Sequence, residues 1–171
     1  MNQDDLRAWY LLTSKPRQDA YAEEQLNNQG YVTYRPLAVK KGRHRGKLTK
    51  LTESLFPRYL FIKLSRVEDN WAPIRSTYGV AGLVRFGDQP LVVPDLIISD
   101  LQKREIYFQE KGLDIDVLKR GDTVTIGAGP FRGLQAVFER YNGEERAILL
   151  MNILNEQAKV VVPSADIYQT A

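Results

Sequence analysis

Ala8-Trp9-Tyr10-Leu11-Leu12-Thr13 is apolar and aromatic without helical spacing, and it predicts a buried strand. From Arg17 to Gln29 the pattern changes. Ala20, Ala22 and Leu26 stand among good helix formers, and Gly30 follows where a helix end favours glycine, so a helix is predicted there. Tyr31 to Leu37 predicts a second strand, and Lys40 to Lys50 reads as a basic loop. Leu55 to Leu64 predicts a third strand, alternating well after Pro57. A short helix is expected around Trp71 to Ser76, then a fourth strand over Val80 to Phe86. Pro94 to Gln109 predicts a closing helix, with Leu96, Ile97, Leu101 and Ile106 near one face. The order β-α-β-β-α-β with a final helix predicts a ferredoxin-like α+β domain over residues 1–109.

Residues 110–118 read as a linker, and 119–171 as a second, small domain whose pattern supports two folds. Gly121 to Ile126 is a short alternating strand, and Gly127-Ala128-Gly129-Pro130 turns the backbone before a second apolar run. Phe131, Leu134, Val137, Phe138 and Tyr141 then recur at spacings of three and four, as on an amphipathic helix. Asn142-Gly143 is the dipeptide best suited to a tight turn. Ala147 to Leu154 is apolar enough for a helix or a fully buried strand, and Val160-Val161-Val162-Pro163 is strand-like. A small β-barrel and an α-helical hairpin are both written into this segment.

Composition narrows the chemistry. The 171 residues are 43% hydrophobic and 26% charged, enough for real cores, and no apolar run approaches the length of a membrane span. There is no cysteine and one histidine, so disulfides and thiol catalysis are excluded and a transition-metal site is not expected. The cytoplasm is the expected compartment, and the polar start Met1-Asn2-Gln3-Asp4-Asp5 is unlike a secretory signal. No serine–histidine pairing or phosphate-cradling loop is recognisable, so no catalytic residue and no cofactor is assigned, and binding rather than turnover is expected. The net charge of +3 is unevenly spread: residues 1–105 carry 17 Lys and Arg against 12 Asp and Glu, residues 106–171 carry 7 against 9. The strongest concentration is Lys40, Lys41, Arg43, Arg45, Lys47 and Lys50, with no acid between Glu24 and Glu53. Such a run suits phosphate contact, each neutralised phosphate releasing counterions. His44 within it reads as a surface residue.

Several stretches in fixed order resemble the NusG family of transcription factors. They are Trp9-Tyr10-Leu11-Leu12, Leu55-Phe56-Pro57-Arg58-Tyr59-Leu60-Phe61, Trp71-Ala72-Pro73-Ile74-Arg75-Ser76-Thr77 and Val84-Arg85-Phe86-Gly87, followed by the run from Gly121, which resembles a KOW module. Leu149-Leu150-Met151-Asn152-Ile153-Leu154-Asn155 is more similar to the RfaH-type branch than to generic members. The resemblance implies an N-terminal domain that docks on the clamp helices of the largest RNA polymerase subunit and reaches the non-template DNA strand. It also implies a C-terminal KOW domain that is either a five-stranded barrel or a helical hairpin covering the polymerase-binding patch. Once released, that domain would contact a small-subunit ribosomal protein.

Carried onto this sequence, the resemblance makes Leu11, Thr13, Phe56, Tyr59, Phe61, Ile98 and Leu101 candidates for the polymerase-binding patch. Leu134, Val137, Phe138 and Leu149 would supply its cover, with Glu53 and Arg146 pairing across the interface. Ile153 and Leu154 are candidates for the ribosomal-protein contact. Lys15, Arg17, Tyr21, Gln25, Arg75, Thr77 and Tyr78 form the candidate DNA-reading set beside Lys40, Lys41, Arg43 and Arg45, since polar and aromatic groups suit an unpaired strand with exposed bases. Two positions depart from the family pattern. Ala136 stands where glycine is frequent, and Tyr78 where a basic residue is expected. A monomer without membrane contacts is expected. The alternatives are a general NusG-like factor with a permanently open barrel, and a ribosome-associated RNA-binding KOW protein.

Overall fold

The computed structural model describes residues 7–111 and 142–159. Its centre is β1 (Arg7–Ser14), which pairs antiparallel with β5 (Tyr59–Ser65) from Arg7↔Ser65 to Thr13↔Tyr59. The far side of β1 takes β6 (Val80–Leu83) at one end and the short β9 (Val92–Val93) at the other. β2 (Val32–Tyr34) completes the sheet on β5, giving the order β2-β5-β1-β6. The predicted α+β, ferredoxin-like arrangement is what forms.

The sheet is covered on both faces, which is why its central strands read as continuous apolar runs rather than clean alternations. Tyr10 and Leu12 of β1 and Leu60, Ile62 and Leu64 of β5 point to one side. There they meet Ala22 and Leu26 of α1 (Asp19–Asn28) and Ile74 of α2 (Ala72–Arg75). Leu11 and Phe61 point to the other side and meet Ile97, Ile98 and Leu101 of α3 (Asp95–Lys111). The rest of that second face is closed by Leu150 and Leu154 of α4 (Gly143–Lys159).

Several elements differ from the sequence pattern, each for a local reason. The stretch Lys40 to Lys50 is not a loop but part of a two-stranded hairpin, β3 (Leu37–His44) with β4 (Lys47–Ser54), paired from Leu37↔Ser54 to His44↔Lys47. Arg45 and Gly46 both have positive φ (53° and 77°), the requirement of a two-residue hairpin turn. Leu55 to Arg58 is not strand. The Tyr59 amide donates to the Phe56 carbonyl at 3.0 Å around Pro57 and Arg58, and Arg58 has φ 74°, a type II turn with proline at its favoured position. The second strand stops before Arg35-Pro36, where the proline has no backbone N–H to donate to a neighbouring strand. The fourth breaks at Val84 into β6 and a small hairpin of β7 (Arg85–Phe86) and β8 (Gln89–Pro90), turned by Gly87.

In the C-terminal half, Asn142-Gly143 is a helix start rather than a tight turn. The Glu145 amide donates to Asn142 Oδ1 at 2.9 Å and Asn142 Nδ2 donates to Glu145 Oε1 at 3.0 Å, tying the cap residue to the first turn of α4. Residues 112–141 and 160–171 lie outside the described residues, and with them most of the expected linker, the KOW run, Ala136 and the candidate interface residues Leu134, Val137 and Phe138. Glu110 and Lys111, expected to begin the linker, belong to α3.

Candidate functional site

α4 lies against the second face of the sheet, in one cluster with α3, and three features seat it. At its start, Gly143 approaches Pro57 so closely that a Cβ there would fall 2.6 Å from the proline Cγ. One turn on, the Arg146 guanidinium is fully buried. Its Nε donates to the Leu55 carbonyl at 2.7 Å and its Nη2 donates to Glu53 Oε1 at 2.9 Å. Further along, Leu150 and Leu154 continue the same stripe into the core, both essentially without exposure, while Leu149 and Ile153 are half-buried against it. The spacing 146, 150, 154 is one residue per helical turn. Burying a leucine contributes about 1.5–3 kcal/mol, so the pair holds α4 by several kcal/mol and no more.

Beneath this helix lie the residues read as a polymerase patch. Leu11, Phe56, Phe61, Ile98 and Leu101 are all buried, in one cluster with Leu150 and Leu154. Thr13 and Tyr59 sit at the margin, half-buried, with the Thr13 hydroxyl donating to the Gly82 carbonyl at 3.2 Å. Sequence reasoning named Arg146 and Leu149 on α4 but missed Leu150, Gly143 and Pro57. The four-residue recurrence from Arg146 was a usable signal for Leu150. Nothing in the sequence flags the Gly143–Pro57 approach.

A second group gathers on the opposite side of the sheet. Gly79, at φ 86°, brings its backbone against α1, where a Cβ would be 3.0 Å from the Ala22 nitrogen. Its carbonyl accepts from the Lys15 amide at 2.8 Å. These contacts bring Lys15, the α1 residues Tyr21 and Gln25, and the loop residues Arg75 and Tyr78 onto one side. Lys15, Arg17, Tyr21, Arg75 and Tyr78 are exposed, Tyr78 to 74%, and Gln25 is half-buried. Thr77 differs from its neighbours: it is buried, donates to the Pro73 carbonyl and accepts from Gln29 Nε2, both at 2.8 Å. It holds the loop that presents Tyr78 rather than facing solvent. Arg43 and Arg45 are exposed on the hairpin, whereas the side chains of Lys40 and Lys41 lie outside those described.

The two regions touch one stretch of chain. Ser54 follows Glu53 in β4, and its hydroxyl donates to Asp19 at the start of α1 while accepting from Arg35 Nη1 at 2.8 Å. Among the described residues there is no group of three or more His, Cys, Asp or Glu placed to hold a metal. No helix among them is long and apolar enough to cross a membrane.

Residues 7–102, more than half of the chain, match the family described as transcription termination factor nusG. The chain belongs to the NusG family. Its relatives include the transcription termination/antitermination proteins NusG of Lactococcus lactis, 24% identical over 81% of this chain and 80% of that one, and of Thermus thermophilus, 27% identical over 64% and 63%. The NusG of Streptomyces virginiae is 24% identical over 60% of this chain, which spans only 40% of that longer protein. A solved structure described as domain interaction in Thermotoga maritima NusG aligns over 74% of this chain and 75% of its own, at 21% identity and a TM-score of 0.44. The family match covers β1 through the first half of α3 and stops before α4.

Proposed function

We propose that this chain is a transcription elongation and antitermination factor of the RfaH type, acting by binding and kept closed by its own C-terminal helix. The observation that carries this reading is the burial of Leu11, Phe56, Phe61, Ile98 and Leu101 beneath Leu150 and Leu154, with Arg146 bonded to Glu53 and Leu55 beside them. The same apolar atoms cannot be buried against α4 and against a partner at once. Docking on the clamp helices of the largest polymerase subunit therefore competes with α4, and the closed chain binds polymerase in proportion to its open fraction.

In the open state the patch, with Thr13 and Tyr59 at its margin, takes up the clamp helices. The exposed side carrying Lys15, Arg17, Tyr21, Gln25, Arg75 and Tyr78 contacts the non-template strand through stacking and polar groups, and the basic hairpin contacts phosphates. The released C-terminal domain refolds to a KOW barrel and recruits a small-subunit ribosomal protein through Ile153 and Leu154. Because Leu154 is buried in the closed chain, that contact requires release first. A general NusG-like factor with a permanently open barrel is the alternative, and the names of the relatives favour it.

Backbone NMR chemical shifts of residues 119–171, alone and within the full chain, separate the two. Helical shifts for 143–159 in the full chain with strand shifts in the isolated segment are expected. Strand shifts in both would overturn the closed state and leave the general factor.

A further inference from the structure

α4 does not close the patch completely. Between it and the turn after Phe56 lies a crevice of about 560 Å³, with Thr13, Pro57, Arg58 and Tyr59 on one wall and Ile148 and Met151 on the other. A cavity of this size accommodates several side chains of a partner. Ile148 is 58% exposed although it faces half-buried Tyr59 and Pro57, so the apolar lining continues the covered patch out to solvent.

Arg58 gives this opening a charge. It is exposed, and its backbone is held in the left-handed region by a reciprocal bond: the Ser14 amide donates to the Arg58 carbonyl at 2.8 Å, and Arg58 Nε donates to the Ser14 carbonyl at 3.2 Å. A non-glycine residue at positive φ persists only where its surroundings enforce it. The guanidinium is therefore positioned rather than free to wander, and no described carboxylate lies within ion-pairing distance of it. Glu144 of α4 lines the opposite wall. When α4 leaves, that carboxylate leaves with it.

We infer that this crevice is the first foothold of the polymerase: a helix end bearing a carboxylate for Arg58 and apolar side chains for Tyr59 and Ile148 enters while α4 is still seated, then displaces it. The inference rests on the reading above, and it specifies how the mask is removed. The alternative is that α4 must leave unaided before any contact is made. The two routes differ kinetically, since displacement makes the observed rate rise with partner concentration, whereas prior opening caps it at the opening rate.

The test uses the full chain, which has no cysteine, with a single dye on Val67→Cys, an exposed position away from the crevice. Rapid mixing with RNA polymerase core enzyme is read by fluorescence anisotropy. The expected result is a rate linear in polymerase concentration, slowed on the order of three- to tenfold by Arg58→Asn, which keeps a residue tolerant of positive φ but removes the charge. In a Gly143→Ala background, where the N-terminus of α4 seats less well against Pro57 and more of the chain is already open, Arg58→Asn should slow the rate less than it does in the wild-type chain. A rate that saturates with concentration, or an equal slowing by Arg58→Asn in both backgrounds, overturns the foothold. A rate indifferent to Arg58 also overturns it, and leaves the crevice to a small ligand. If neither the wild-type chain nor Gly143→Ala binds polymerase, the functional reading itself fails, and the foothold with it.

Discussion

Tyr34 and Glu105 show how single groups hold the side of the domain beneath α3. The Tyr34 hydroxyl donates to Glu105 Oε2 at 2.6 Å, and the other carboxylate oxygen accepts from the Leu37 amide at 3.1 Å. Burial first, then the hydrogen bond to Glu105 and its negative charge, push the Tyr34 phenol well above its ordinary value. The folded chain thus keeps this proton to higher pH than the unfolded chain, where a phenol ionises near pH 10. The resulting stability is complete below about pH 10 and falls as pH rises past it. Tyr34→Phe should cost about 1–2 kcal/mol at pH 7, by loss of a charge-assisted bond, and should make the alkaline decline shallower. Urea unfolding between pH 7 and pH 11 checks both parts. Glu53 is a different case, since its side chain is 44% exposed while its partner Arg146 is fully buried. Glu53→Ala removes an anionic partner from a buried cation that can regain water only if α4 leaves. Release should become easier by about 1–2 kcal/mol, discounted for the exposure of the pair, and the protection of α4 amides against hydrogen exchange should fall five- to thirtyfold.

At the scale of elements, the hairpin β3–β4 pairs Arg43 with Leu48 and turns at Arg45-Gly46. Arg43, Arg45 and Lys47 are exposed there. If the hairpin contacts the phosphates of a single strand, replacing one of these residues with alanine should lower the slope of log affinity against log salt by about 0.7. A titration with a single-stranded oligonucleotide at several salt concentrations reads that slope, and an unchanged slope would remove the residue from the interface. The hairpin also shows what the sequence concealed. A ribbon in its own two-stranded sheet need not bury one face, so its strands carry no alternation of apolar and polar residues, and Arg-Gly is a weaker turn signal than Asn-Gly. β1, α1 and α2 were legible because their apolar residues face the sheet core. The turn at Phe56–Tyr59 was not, because Arg58 occupies a position that normally asks for glycine or asparagine. In the candidate site, the pairing of Arg146 with Glu53 was expected from the family resemblance and not from any local pattern. The Gly143–Pro57 approach depends on where two distant segments meet, which no local pattern encodes.

For the whole molecule, the question is whether α4 acts as a mask or as a fixed part of the domain, and combined substitutions can decide it. Gly143→Ala places a methyl group against a stiff proline ring in the closed chain, an overpacking cost of about 1–3 kcal/mol. Glu53→Ala weakens the neighbouring bond to Arg146, and Leu150→Ala removes buried contacts worth about 2–5 kcal/mol. None of the three needs to touch polymerase for these effects to occur. If α4 masks the patch, each substitution raises the open fraction, and the apparent affinity for polymerase rises in the same proportion. The gains should therefore add in free energy only while the closed state dominates. Once two or three are combined and the chain is almost wholly open, a further substitution should add nothing. Polymerase affinity measured across the single, double and triple variants should climb to a common plateau. Gains that continue to add without a plateau would mean that the substitutions improve the contact itself. A steady loss of affinity would mean that α4 belongs to the binding surface rather than covering it.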